Sequence, residues 1–171
     1  MKRFIFISIL FSAIAVNLFS ASFSPQKGGN CYTLDIPDYM TRTFQLNDAA
    51  SLQYQNINKE AYCIVIEDSK EHLSTLGIKF VDTKDFLDNF LSSYMVDVAD
   101  RKVSKNVNFK SNGNSHSQAE LSWSNDDGSY YMLITSVETK YYFYKILCWT
   151  IAENKELLKD DFIKISKSLK D

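Results

Sequence analysis

The sequence predicts an α+β fold, a mainly antiparallel β-sheet covered by helices on both faces in an α/β/α sandwich. Three observations carry this. From Cys31 onward, short alternating or wholly apolar runs are separated by turn residues, as in a chain of strands. Two longer segments, 83–99 and 153–169, instead place apolar residues at helical spacing. The last two strand-like runs are apolar on both faces, which a sheet wetted on one side would not be. The chain of 171 residues is 45% hydrophobic and 23% charged, with 5 Gly and 2 Pro. Collagen-like, low-complexity and wholly disordered readings are excluded by that composition.

The N-terminus reads as an address. Met1-Lys2-Arg3 is a short basic segment, and FIFISILFSAIAVNLF follows without a charge from Phe4 to Phe19. Small residues Ser20, Ala21 and Ser22 then offer a peptidase cleavage site. The run is shorter than the roughly 20 apolar residues of a spanning helix. Residues 1–22 are therefore expected to be a cleaved secretory signal, leaving no stable membrane span and placing the protein in the periplasm or outside the cell. No Cys follows the apolar run directly, so a lipid anchor is not expected. A composition rich in Lys, Asn, Ile and Phe points to a bacterium.

Beyond the signal, residues 23–30 are expected to be a flexible polar leader, and 31–171 a single domain without a Pro/Gly-rich linker. Tyr32 to Ile36 alternates and is stopped by Pro37, a strand. Residues 41–46 and 50–57 are two further short candidates. Residues 61–67, AYCIVIE, are apolar on both faces and predict a central strand. Residues 69–76 predict a short helix ending at Gly77. Over 83–99, Phe86, Leu87, Phe90, Leu91, Tyr94, Met95 and Val98 form one apolar stripe, with Asp82 or Thr83 as the cap.

Then the period changes to two. Val103, Val107 and Phe109 are expected on one face of a strand. The turn Asn112-Gly113-Asn114 leads to alternating Ala119, Leu121 and Trp123. Asn125-Asp126-Asp127-Gly128 and Glu138-Thr139-Lys140 mark two more turns, completing a four-stranded antiparallel meander. Leu158, Phe162, Ile165 and Leu169 line the closing helix.

This order of elements resembles the PsbP/Mog1-like family. The residues that carry the resemblance are YTLDIPDYM, SLQYQ, AYCIVIED and the ending YKILCWTIAENKELLKDDFIKISKSLKD. It covers residues 31–169, and its motifs are structural. The photosystem-associated PsbP proteins work in the thylakoid lumen, and Mog1 works in the nucleus with a small GTPase. No residue motif transfers either role here. The resemblance implies the sandwich fold and a function in binding or assisting rather than catalysis.

Chemistry is sparse in the sequence. Its two histidines, His72 and His116, are expected to be plain surface residues, and no GxSxG, SxxK or HExxH is present. The Asn125 to Gly128 tetrad lacks the alternating ligands and terminal Glu of a calcium loop, and reads as a hairpin. No cofactor or metal is expected, and a hydrolase built on an Asp/Glu pair is the residual enzymatic reading. The net charge of -2 offers no basic face for nucleic acid. Cys31, Cys63 and Cys148 allow three pairings in an oxidising compartment, and burial as free thiols is the plainer alternative.

The unusual concentration is aromatic. Tyr130, Tyr141, Tyr142 and Tyr144 lie on two successive meander strands and are the candidate binding patch, because Tyr tolerates half-burial while keeping a hydroxyl. The alternative is that these rings pack under the helices. The expected function is that of an exported, non-enzymatic binding or accessory protein of the bacterial cell envelope, with an unidentified protein partner. A periplasmic carrier of a small apolar ligand is the second reading.

Overall fold

The structure is a computed structural model that describes residues 21–29 and 31–171. The expected signal lies almost wholly outside the described residues. Strands run β1 Phe23–Gly28, β2 Tyr32–Pro37, β3 Thr41–Arg42, β4 Leu52–Asn56 and β5 Ala61–Ser69. Helices α1 Lys70–Thr75 and α2 Thr83–Ser93 follow. Then come β6 Lys102–Val103, β7 Val107–Ser111, β8 Asn114–Asn125, β9 Gly128–Glu138, β10 Tyr142–Ile151 and α3 Lys155–Lys167. The main sheet has the order β3-β4-β5-β10-β9-β8-β6, with β7 also alongside β8, and every pairing is antiparallel. β1 and β2 form a separate two-stranded sheet. Among the described residues no helix is long and apolar enough to cross a membrane.

Alternation along β10 divides the core. Ile146 and Cys148 belong to one cluster with Val65, Leu133 and the α3 residues Leu158, Phe162 and Ile165. β2 contributes Leu34 and Ile36 to it. Leu147 belongs to the other, with Ile134, Leu121 and the α2 residues Leu87 and Leu91. Neighbouring strand residues point to opposite faces, so the two clusters follow directly from the period-two pattern.

Four expectations are corrected. The polar leader is not free chain but strand β1, in register with β2 from Phe23 opposite Pro37 to Gly28 opposite Tyr32. Its ladder is made by main-chain groups while its polar side chains stay mostly outward, so alternation of apolar residues does not mark it. The segment 41–46 keeps only Thr41–Arg42 as strand, because the buried Gln53 side chain takes over. Its Oε1 accepts from Leu46 N and Asn47 N at 2.8 and 3.1 Å, and its Nε2 donates to Asn47 O at 2.7 Å.

Helix α2 begins as expected, with Asp82 accepting from Asp85 N, but stops at Ser93 rather than 99. The Arg101 guanidinium donates to Leu91 O and Tyr94 O, and so occupies carbonyls at the helix end. Tyr94, Met95 and Val98 still pack on the second cluster, from turns. Finally, Val103 does not share a face with Val107 and Phe109. The ladder breaks after β6, where Ser104 Oγ accepts from Glu120 N at 2.9 Å, and β7 resumes with Phe109 opposite His116.

Candidate functional site

At the end of the sheet where β5 and β9 stop and β10 starts, three elements converge. Ser69, the last residue of β5, caps α1 by accepting from His72 N. Lys70 N donates to Tyr141 O at 2.9 Å, which ties the start of α1 to the β9–β10 turn. The Lys70 side chain reaches Glu138 Oε1 at 2.7 Å and lies 4.7 Å from the centre of the Phe143 ring. Helix α1 is stopped by Gly77, whose φ of 72° is left-handed, and Ile78 N returns to Leu73 O at 2.9 Å.

That turn throws Ile78, Lys79 and Phe80 back across the sheet end. Phe80 meets Phe86 and Phe143 edge-on at 5.0 and 5.8 Å, and Phe86 stacks on Phe143 at 4.7 Å. The result is a cleft of about 470 Å³ with an aromatic floor, walled by Leu73, Ile78 and the Lys70–Glu138 pair. Beside it Leu76, Val81 and Tyr141 stand 59%, 89% and 60% exposed. Scattered apolar residues are ordinary on a surface, and it is their gathering near one cleft that makes this the candidate site. A second cleft of about 350 Å³ shares Glu138 and lies between the start of α2 and β7–β8, lined by Thr83, Lys110 and Ser115.

The four tyrosines expected to form a patch are not brought together. In an antiparallel hairpin the start of one strand faces the end of the next. Tyr130 therefore pairs with Ile151, at the opposite end of β10 from Tyr142, and stacks on Trp123 at 5.2 Å. Tyr144 is fully buried against Tyr32 at 4.9 Å. Burial, reinforced by Asp171, pushes its phenol well above its ordinary pKa, so it stays protonated and donates to Asp171 Oδ2. Tyr142 is half-buried beside Tyr144. Tyr141 alone borders the cleft, through the hydrogen bond of its carbonyl with Lys70 N, and does not line it. The residues that build it, Lys70, Ile78, Phe80, Glu138 and Phe143, were missed. The signal available was Ile78 and Phe80 alternating after a helix-stopping Gly, where a loop would be polar.

His116 is likewise not on the surface. It is 1% exposed on β8, stacked on Phe109 at 4.8 Å, and neither ring nitrogen has a hydrogen-bond partner. Burial, helped by the nearby Lys167 ammonium, pushes its pKa below the ordinary value against an opposing pull from the Ser111 main chain. The unfolded chain therefore binds this proton more readily than the folded one, and stability falls as pH drops below about 6.5. The loss of stability between pH 7 and pH 5, measured by denaturant unfolding, should be smaller in His116→Leu than in the parent. His72, by contrast, is exposed on α1 as expected. Asn125 Oδ1 accepts from Asp127 N and Gly128 N, so the Asn125 to Gly128 tetrad is a side-chain-braced hairpin turn.

No family model and no curated protein matches the sequence, whereas solved structures match its fold. The solution structure of cyanobacterial PsbP (CyanoP) from Synechocystis is similar with a TM-score of 0.62 and 11% identity, covering 90% of this chain and 95% of that one. LpqN of Mycobacterium tuberculosis, described as involved in cell envelope biogenesis, has a TM-score of 0.60 and 13% identity, covering 86% and 89%. A Pseudomonas aeruginosa protein of unknown function, described as a putative regulator, gives 0.50 and 10%, covering 82% and 91%. The fold is PsbP-like, as the sequence resemblance implied.

Proposed function

We propose that this chain is an exported, non-enzymatic accessory protein of the bacterial cell envelope, and that it binds a protein partner at the cleft between α1 and the β9–β10 turn. The observation that carries the reading is an aromatic-floored cleft with the exposed Ile78 in its wall, whose lining segment is flanked in the chain by the exposed Leu76 and Val81. Such a surface suits a partner's apolar side chain, flanked by polar rim contacts. The similarity to LpqN and to CyanoP supports an envelope or accessory setting, and the basic, apolar, small-residue N-terminus supports export. Placement of α2 and α3 in separate clusters supports the three-layer sandwich. Glu138, the one carboxylate that lines this cleft, is engaged by Lys70, which favours binding over hydrolysis there.

A carrier of a small apolar ligand is the second reading. It draws on the cleft volume of about 470 Å³ and the Phe80 and Phe143 floor, within the size range of small-molecule sites. A ligand site beneath α2 is not supported, since the apolar stripe of that helix packs on the sheet.

The full chain, expressed in a bacterial host with its own N-terminus, should fractionate with the periplasm or medium. Native mass spectrometry should show the mass of a chain cut near residues 20–22 and no adduct. A non-covalent adduct lost on denaturation would favour the carrier, and an uncut chain in the cytoplasm would overturn export.

A further inference from the structure

The cysteines hold a second device, away from the cleft. Cys63 on β5 and Cys148 on β10 face each other directly in the sheet register. Both are at most 1% exposed, and the Cys148 thiol donates to the Cys63 sulfur at 3.4 Å. The kind of pair they form follows from the hydrogen bonds at the strand ends. Lys70 N donates to Tyr141 O, so odd-numbered residues entering β10 turn their main-chain groups toward β5. Thr139 N donates to Tyr142 O, so even-numbered residues turn theirs toward β9. Carried along the ladder, Cys148 bonds toward β9 and makes a non-hydrogen-bonded pair with Cys63. Such pairs bring Cα atoms to about 4.5 Å with side chains close together, inside the 4.4–6.8 Å span of disulfides.

We propose that Cys63 and Cys148 are joined as a cross-strand disulfide that staples the two middle strands of the sheet. Of the three pairings the sequence leaves open, this is the one the fold selects. Cys31 is exposed in the β1–β2 turn while both partners are buried, so it is the odd thiol. In forming the bond, two S–H bonds break and one S–S bond forms. The two electrons and two protons pass to a thiol-exchange oxidant, either oxidised glutathione or the disulfide of an oxidoreductase, which is reduced to two thiols.

Timing follows from burial. Burial pushes the Cys148 thiol well above its ordinary pKa, and a buried thiol has neither the thiolate nor the access that exchange requires. The bond therefore forms before β5 and β10 close over it. Once formed it resists reductant until the sheet opens. It closes a loop across 85 residues, and long loops gain most from closure in the chain-entropy account.

The inference rests on the exported reading only for its oxidant, so the test supplies one. The full chain carrying Cys31→Ser is refolded from denaturant in a glutathione redox buffer, alkylated, digested and mapped by mass spectrometry. The expected result is a peptide pair joining Cys63 to Cys148, lighter by two hydrogens than the separate thiols. Reduction of that bond should require denaturant and should lower the guanidinium unfolding midpoint. The unsubstituted chain, isolated from the exporting host and alkylated at once, should carry the same link and a free Cys31. Natively folded protein that retains both buried thiols after oxidative refolding would overturn the proposal, as would a Cys31–Cys63 or Cys31–Cys148 link in the exported chain. A link formed on refolding but absent from the host-made protein would overturn export instead.

Discussion

Phe162→Ala should lower the stability of the protein by about 3–5 kcal/mol, the usual cost of emptying a buried Phe site. Phe162 is fully buried on α3, in the cluster it shares with Leu133, Ile146 and Leu158. The loss joins the transfer cost of the ring to the cavity left under the helix, because strands on the far side hold the sheet in place. Against a typical total of about 5–15 kcal/mol, that is a large fraction. A thermal scan should show the midpoint falling by about 10 °C, at about 2–4 °C per kcal/mol for a chain of this size. Leu157→Ala is the control: the neighbouring residue is 69% exposed, and its truncation should stay within about 0.5 kcal/mol.

The second large effect concerns binding. Ile78→Asp places a charge at the wall of the aromatic cleft, where a partner's apolar side chain would have to bury it unpaired. Ile78 is 42% exposed in the free protein, so the thermal midpoint should move by no more than a few degrees. Partner binding should fall at least tenfold, which corresponds to about 1.4 kcal/mol. Val107→Asp, an equally polar change at an exposed position on the β7 edge, should leave binding intact. Tyr130→Ala should also leave it intact, because Tyr130 stands at the far end of the sheet.

Most elements were legible where burial and periodicity coincide. The β5 run AYCIVIE lies between two partner strands and is apolar on both faces, and the β8–β9 hairpin announces itself through Asn125 and Gly128. The α2 cap and stripe were equally plain, but its end was not, because Arg101 acts on its last carbonyls from a distance in sequence. β1 was illegible for a different reason: its order comes from main-chain pairing, and side-chain pattern carries no record of that. His116 misled because a histidine among Ser and Asn reads as surface, while on β8 its side chain turns inward onto Phe109.

Of the tyrosines singled out in the sequence, Tyr141 borders the candidate site and none lines it. The tyrosine concentration is real, yet strand direction sends Tyr130 to one end and alternation sends Tyr144 into the core. The cleft itself depends on Phe143 meeting Phe80, separated by a helix and four strands along the chain. No local pattern encodes such a meeting. Gly77 and the alternating residues after it were the nearest hint.

The most direct test of the account is site-specific photo-crosslinking in the cells that make the protein. A benzophenone side chain is placed at position 81 beside the cleft, or at position 107 on the β7 edge. The account predicts a discrete protein adduct from position 81, lost with Ile78→Asp, and none from position 107. Equal crosslinking from both positions, or an adduct from 107 alone, would contradict the assignment of the cleft as the binding surface.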